Sequence, residues 1–88
     1  MSATARMTEK LTTAFAPEQL DLRDDSERHR GHGGWREGGE THFHLTMVAS
    51  TFAGMNRVAR QRAVNRALAA EFEDRLHALT MDLKAPGE

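Results

Sequence analysis

TFAGMNRVARQRAVNRALAAEFEDRLHALTMDL, residues 51–83, is the stretch whose reading decides the fold. Gly54 marks a turn, and the residues after it change to helical spacing. On a helical wheel Val58, Val64, Leu68, Phe72 and Leu76 fall within an arc of roughly 120°. This predicts one long helix from about Asn56 to Arg75. Gln61 and Asn65 interrupt the arc, so one or both should hydrogen-bond inside the fold. From His77 the period drops to two, with Leu79, Met81 and Leu83 on one face of a strand.

Working outward, residues 41–50 alternate cleanly. Phe43, Leu45, Met47 and Ala49 face one way, and His42, His44, Thr46 and Ser50 face the other, with Val48 the one apolar residue on that side. A half-buried strand with a wet face belongs to a sheet covered on one side only. Residues 5–15, ARMTEKLTTAF, place Met7, Leu11 and Phe15 on one helical face with Ala14 beside them. Pro17 ends that helix, because a proline pushes the residue before it out of the α region. Leu20 and Leu22 alternate within a short strand, residues 19–24. The order is therefore α-β-β-α-β, an α/β (α+β) domain over residues 1–88. The first two strands pair antiparallel, and the third follows a helical crossover, so the three-stranded sheet is mixed. Residues 85–88 read as a frayed tail.

Between the first two strands lies DSERHRGHGGWREGGE, residues 25–40, with five glycines, seven charged residues and the single tryptophan. No periodic burial is available there, so it reads as a long, mobile, exposed loop. Connections above about 12 residues in a compact domain are usually functional or mobile.

Composition narrows the function. Twelve Lys+Arg against thirteen Asp+Glu give a net charge of −1, which does not suit nonspecific nucleic-acid binding by bulk charge. Any basic patch must be local. The chain has no cysteine, which removes a disulfide scaffold, a thiol nucleophile and a self-sufficient thiolate metal site. No apolar run is long enough to span a membrane and residues 1–10 carry no signal-peptide core. A soluble, cytoplasmic protein with no membrane partner is the expectation.

Arg57, Arg60, Arg62 and Arg66 crowd the first half of the long helix, while Glu71, Glu73 and Asp74 lie near its end. This opposes the helix dipole at a cost of a few tenths of a kcal/mol per charge. Phosphates or an acidic protein face would use such a surface, and a solvated helix face would look the same. Only Arg62 and Arg66 share a side, since Arg60 lies about 160° round the helix from Arg62. Glu71 and Arg75 have the spacing of an i, i+4 support pair. His77, placed by alternation with Leu79 and Met81, reads as a partly buried histidine at the sheet boundary. His29 and His32 have a spacing that lets two imidazoles reach one metal, although a stable site needs further ligands. His42 and His44 read as surface histidines. Asp24 and Asp25 point apart, the serines lack a histidine and acid at an elbow, and the glycines do not open a helix as a phosphate loop does. No catalytic residue is expected.

Three stretches, FAPEQLDLRDDSERHRGH, GETHFHLTMVASTFAGMNRVARQRAVNRALAAE and LHAL, together resemble the BolA family over about residues 5–83. The run FxGxxxVxRxRxVNxxLAxE is specific to it. Arg60-Gln61-Arg62 departs from the family's common Arg-His-Arg. The resemblance implies a fold like the type II K-homology (KH) domain, with Gly54-Met55-Asn56-Arg57 where that domain's GxxG clamp would be. It implies a non-enzymatic adaptor in iron–sulfur and iron homeostasis, whose partner is a monothiol glutaredoxin sharing a [2Fe–2S] cluster and glutathione. The family's C-terminal histidine ligand falls on His77, and the loop ligand falls on His29 or His32. The resemblance also implies transcriptional regulation, with the turn and helix reading DNA through Arg57, Arg60, Arg62 and Arg66. An exposed sheet edge leaves room for a homodimer.

Overall fold

The computed structural model describes residues 2–25, 42–74 and 76–88. Helix α1 runs Ala3–Phe15, strand β1 Gln19–Asp24, strand β2 His42–Val48, helix α2 Arg57–Ala67, helix α3 Ala69–Asp74 and strand β3 Ala78–Lys84, with a 3-10 turn at Ser50–Phe52. The mixed α+β architecture expected from the sequence is present.

α1 starts where the Ser2 hydroxyl accepts a hydrogen bond from the Ala5 amide (3.1 Å), covering one of the amides that a helix start leaves without a partner. Its apolar stripe of Ala3, Met7, Leu11 and Phe15 is buried. Ala14, expected beside that stripe, is exposed. The helix ends ahead of Pro17, with Ala16 left-handed at φ 45° and ψ 55°.

β2 is central, antiparallel to β1 and parallel to β3. The registers build two cross-strand rows on the covered face, Leu22–Leu45–Met81 and Leu20–Met47–Leu83. The helices close over them, and Met7, Leu11, Leu45, Met47, Phe52, Val64 and Leu68 are fully buried. Phe15 and Phe52 meet with ring centroids 5.2 Å apart. The Thr51 hydroxyl donates to the Phe15 carbonyl (3.2 Å), tying the end of α1 to the turn after β2. At Gly54 the chain takes φ 80°, a value that costs glycine nothing and an L-residue about 1 kcal/mol or more. Asn56 then caps α2 by accepting from the Ala59 amide (2.8 Å).

The single helix predicted over residues 56–75 is two. Leu68 takes φ −105° and ψ 15°, and the Glu71 amide bonds back only three residues to its carbonyl (2.9 Å). The break turns Glu71 toward α1, where Lys10 donates to its carboxylate at 2.7 Å and Arg6 at 3.2 Å. Glu71 is buried and serves this cluster; Arg75, its expected i, i+4 partner, lies outside the described residues. The helical wheel also overreached. Val64, Leu68 and Leu76 are core, but Val58 is 52% exposed and Phe72 36%. Val58 sits at the margin of the arc, about 120° from Val64, and Phe72 lies beyond the break that resets the register. Of the two polar residues that interrupt the arc, Asn65 is exposed and Gln61 half-buried.

The last residues are not frayed. Ala85 is buried, and the Glu88 carboxylate accepts from the Ala85 amide (3.1 Å) and from Arg60 (2.6 and 2.7 Å). Among the described residues no helix is long and apolar enough to cross a membrane.

Candidate functional site

Leu76 closes α3 by donating its amide to the Glu71 carbonyl (3.0 Å), and its buried side chain anchors the chain there. His77 follows, one residue before β3 begins. Because it precedes the ladder, strand alternation does not govern it. It is exposed rather than partly buried, and its ring turns to the open face of the sheet. There it meets His42, with ring centroids 5.2 Å apart and planes tilted by 54°.

His42, expected at the surface, is only 6% exposed. The register explains the difference. His42 stands beside Ala78 in the parallel pair, so the residue just upstream of β3 lies against it. The Asp25 amide donates to the His42 carbonyl (2.7 Å), extending the β1–β2 ladder past the imidazole. His42 is thus held by backbone pairing on both sides, whereas His77 sits in a connection and faces solvent. His44, two residues further on the same face, is half-buried. His29 and His32 lie outside the described residues. Among the described residues no group of three or more His, Cys, Asp or Glu side chains converges. The pair offers two imidazole nitrogen donors, suited to borderline metals, and no thiolate.

The four arginines divide. Arg60 turns back along β3, donating to the Met55 carbonyl (3.0 Å), the Leu83 carbonyl (3.2 Å) and both Glu88 oxygens. Its guanidinium also stands 5.9 Å from the Phe52 ring centre. The hydrogen bond from Arg60 holds the Glu88 carboxyl well below its ordinary range, at about 2. Arg57, Arg62 and Arg66 are exposed. Arg57 and Arg60 border a groove of about 530 Å³ between α2 and β3, floored by Met55, Met81 and Leu83.

Glu71 completes the electrostatics. Burial alone would raise its pKa, but hydrogen bonds from Lys10 and Arg6 more than reverse this, so it lies below the usual carboxylate range. Asp74 adds a longer contact to Arg6 (3.8 Å). The acid-rich end of the helical segment therefore belongs partly to the α1 interface, which spacing along the helix did not reveal. His42 was equally hidden as a neighbour of His77. Its only sequence signal is its position at the start of a strand, and that becomes informative once the parallel register is known.

A family model described as BolA-like protein matches residues 11–88. An uncharacterised Sinorhizobium protein is 46% identical over 89 residues, covering 100% of this chain and 96% of that protein. A Vibrio cholerae protein named DNA-binding transcriptional regulator BolA is 40% identical over 72 residues, covering 82% of this chain and 64% of its own length. The chain spans about half the length of several other curated relatives it matches. Among solved structures, BolA1 from Arabidopsis thaliana superposes with a TM-score of 0.87 at 39% identity, covering 98% of this chain and 94% of the other. With the family model matching residues 11–88 and the sheet order and helical crossover shared with a solved BolA1 structure, the chain belongs to the BolA-like family.

Proposed function

We propose that this protein is a non-enzymatic adaptor that docks on a monothiol glutaredoxin and lends imidazole ligation to a [2Fe–2S] cluster shared with that partner and its glutathione. The observation that carries the reading is His77. It is an exposed imidazole at the entry of the edge strand β3, seated against the buried ring of His42, in a chain without cysteine. The donor set fits the group: nitrogen ligands come from this chain, and the thiolates must come from the partner. A bound cluster would supply electron-transfer capacity or a transferable iron–sulfur unit, and histidine ligation would raise its potential relative to an all-thiolate site. The task of this chain is to present His77 from a fixed backbone, with His29 or His32 as the loop ligand implied by family resemblance. Mixing the purified protein with cluster-loaded glutaredoxin should change the visible and circular dichroism spectra, and His77→Ala should abolish or alter that change. Unchanged spectra with the unsubstituted protein would sink the proposal.

A second reading, regulation through DNA, is favoured by one observation: Arg57, Arg62 and Arg66 are exposed on α2. Contacts from these side chains to phosphates would position a duplex without reading its sequence. Arg60 would contribute less, because its guanidinium is committed to Glu88 and two carbonyls. Replacing both Arg62 and Arg66 with Glu should eliminate binding to a promoter fragment. Absence of salt-sensitive binding by the unsubstituted protein at low salt would remove this reading.

A further inference from the structure

We infer that His42 and His77 form a two-imidazole site for a single divalent transition-metal ion of the zinc, cobalt or nickel class, which this chain binds without any partner. This does not depend on the glutaredoxin reading, although the two share His77.

The geometry carries the inference. A tetrahedral ion bound at about 2.0–2.1 Å by two histidine nitrogens holds the ring centres about 3.2 Å from itself and about 5 Å from each other. The two rings stand 5.2 Å apart with tilted planes, which matches the ring spacing that a shared ion requires. Such a site needs one ligand that is held and one that admits the ion. His42 is buried on the central strand, between the hydrogen bond that the Asp25 N–H donates to its carbonyl and the parallel ladder to β3. Ligation uses one imidazole nitrogen, and a contact at the other would fix the ring rather than compete with the ion. His77 is exposed and provides the solvent entry.

Two protein ligands leave the remaining positions of a tetrahedral ion to water or to groups from another molecule, as in open metal sites generally. The class of ion follows from the donors. Imidazole suits zinc, cobalt, nickel and copper, whereas magnesium and calcium prefer oxygen ligands. The absence of thiolate makes the site modest in affinity and exchangeable.

The test uses the full chain alone, titrated with zinc by calorimetry and with cobalt by visible absorption. One equivalent should bind with nitrogen–oxygen ligation. His42→Ala and His77→Ala should each weaken binding by about tenfold or more, while a His29→Ala/His32→Ala double variant should keep it. Because His42 is buried, His42→Phe provides a second variant that retains an aromatic ring; it should fold and still fail to bind. Lack of binding by the unsubstituted chain would overturn the inference, as would loss in the double variant with retention in the His42 variants. Failure of the glutaredoxin experiment with success here would remove the cluster reading alone, and the reverse result would remove only this site.

Discussion

Ala16 sits at φ 45°, in the left-handed region, immediately before Pro17. A side chain with a Cβ pays about 1 kcal/mol there. Ala16→Gly should therefore stabilise the fold by about 0.5–1 kcal/mol, net of the entropy glycine adds to the unfolded chain, seen as a higher urea midpoint at unchanged slope. Glu71 makes the opposite case. Its buried carboxylate joins Lys10 and Arg6, and both partners are about one-third exposed, so they can rehydrate when it is removed. Glu71→Ala should cost about 2 kcal/mol, measured by the same denaturation. Its pKa is lower in the folded chain than the ordinary 4.5, so the unfolded state binds the proton more readily in acid. The stabilisation it provides is complete above about pH 4.5 and falls away as the pH drops through the folded value. Glu88, held at about 2 by Arg60, acts in the same direction, between about 4.5 and 2. Glu71→Gln should flatten the acid limb of a melting-temperature profile below pH 4.5. A profile unchanged from that of the unsubstituted protein would contradict this account. Neither residue's role was legible from spacing, because each depends on a partner far away in the chain.

At the level of elements, the break at Leu68 has the widest consequence. Eleven residues of α2 carry the exposed arginines, and six residues of α3 carry Glu71. The two segments thus carry different chemistry: α2 packs on α1 and β3 with its exposed arginines outward, and α3 reaches α1 through the Glu71 ion pairs. α2 is short and has no acidic residue in its first turn, so its start relies on the side-chain cap from Asn56. Asn56→Ala should cost about 1 kcal/mol, checked by thermal unfolding, with faster amide exchange in the first turn of α2. The strands were read more securely than the helices. β1 matches the predicted residues 19–24, and β3 begins one residue later than predicted. That single residue decides the environment of His77. Within a ladder it would have been drawn to the covered face with Leu79; ahead of the ladder it meets His42.

For the whole molecule, the sheet acts as a platform with one side filled by helices and the other bearing the histidine pair. His77 is exposed and touches the fold through the His42 ring, so His77→Ala should lower the melting temperature only slightly while removing ligation. Leu68→Ala should cost about 2–5 kcal/mol, since it empties a fully buried position at the junction of α2 and α3. Comparing the two by calorimetry would separate loss of a ligand from loss of the fold. The sequence by itself determined the order of elements, the mixed sheet, the covered face and most of the core, because those follow from local period and chain connectivity. The specific run through residues 52–71, with LHAL behind it, also made the family legible. Only the tertiary structure decided that the long helix breaks, that Arg60 faces inward to Glu88, that Glu71 belongs to α1 and that His42 adjoins His77. Each of these is a pairing between residues distant in the chain, and the strand register and helix docking that create such pairings leave no periodic trace in the sequence.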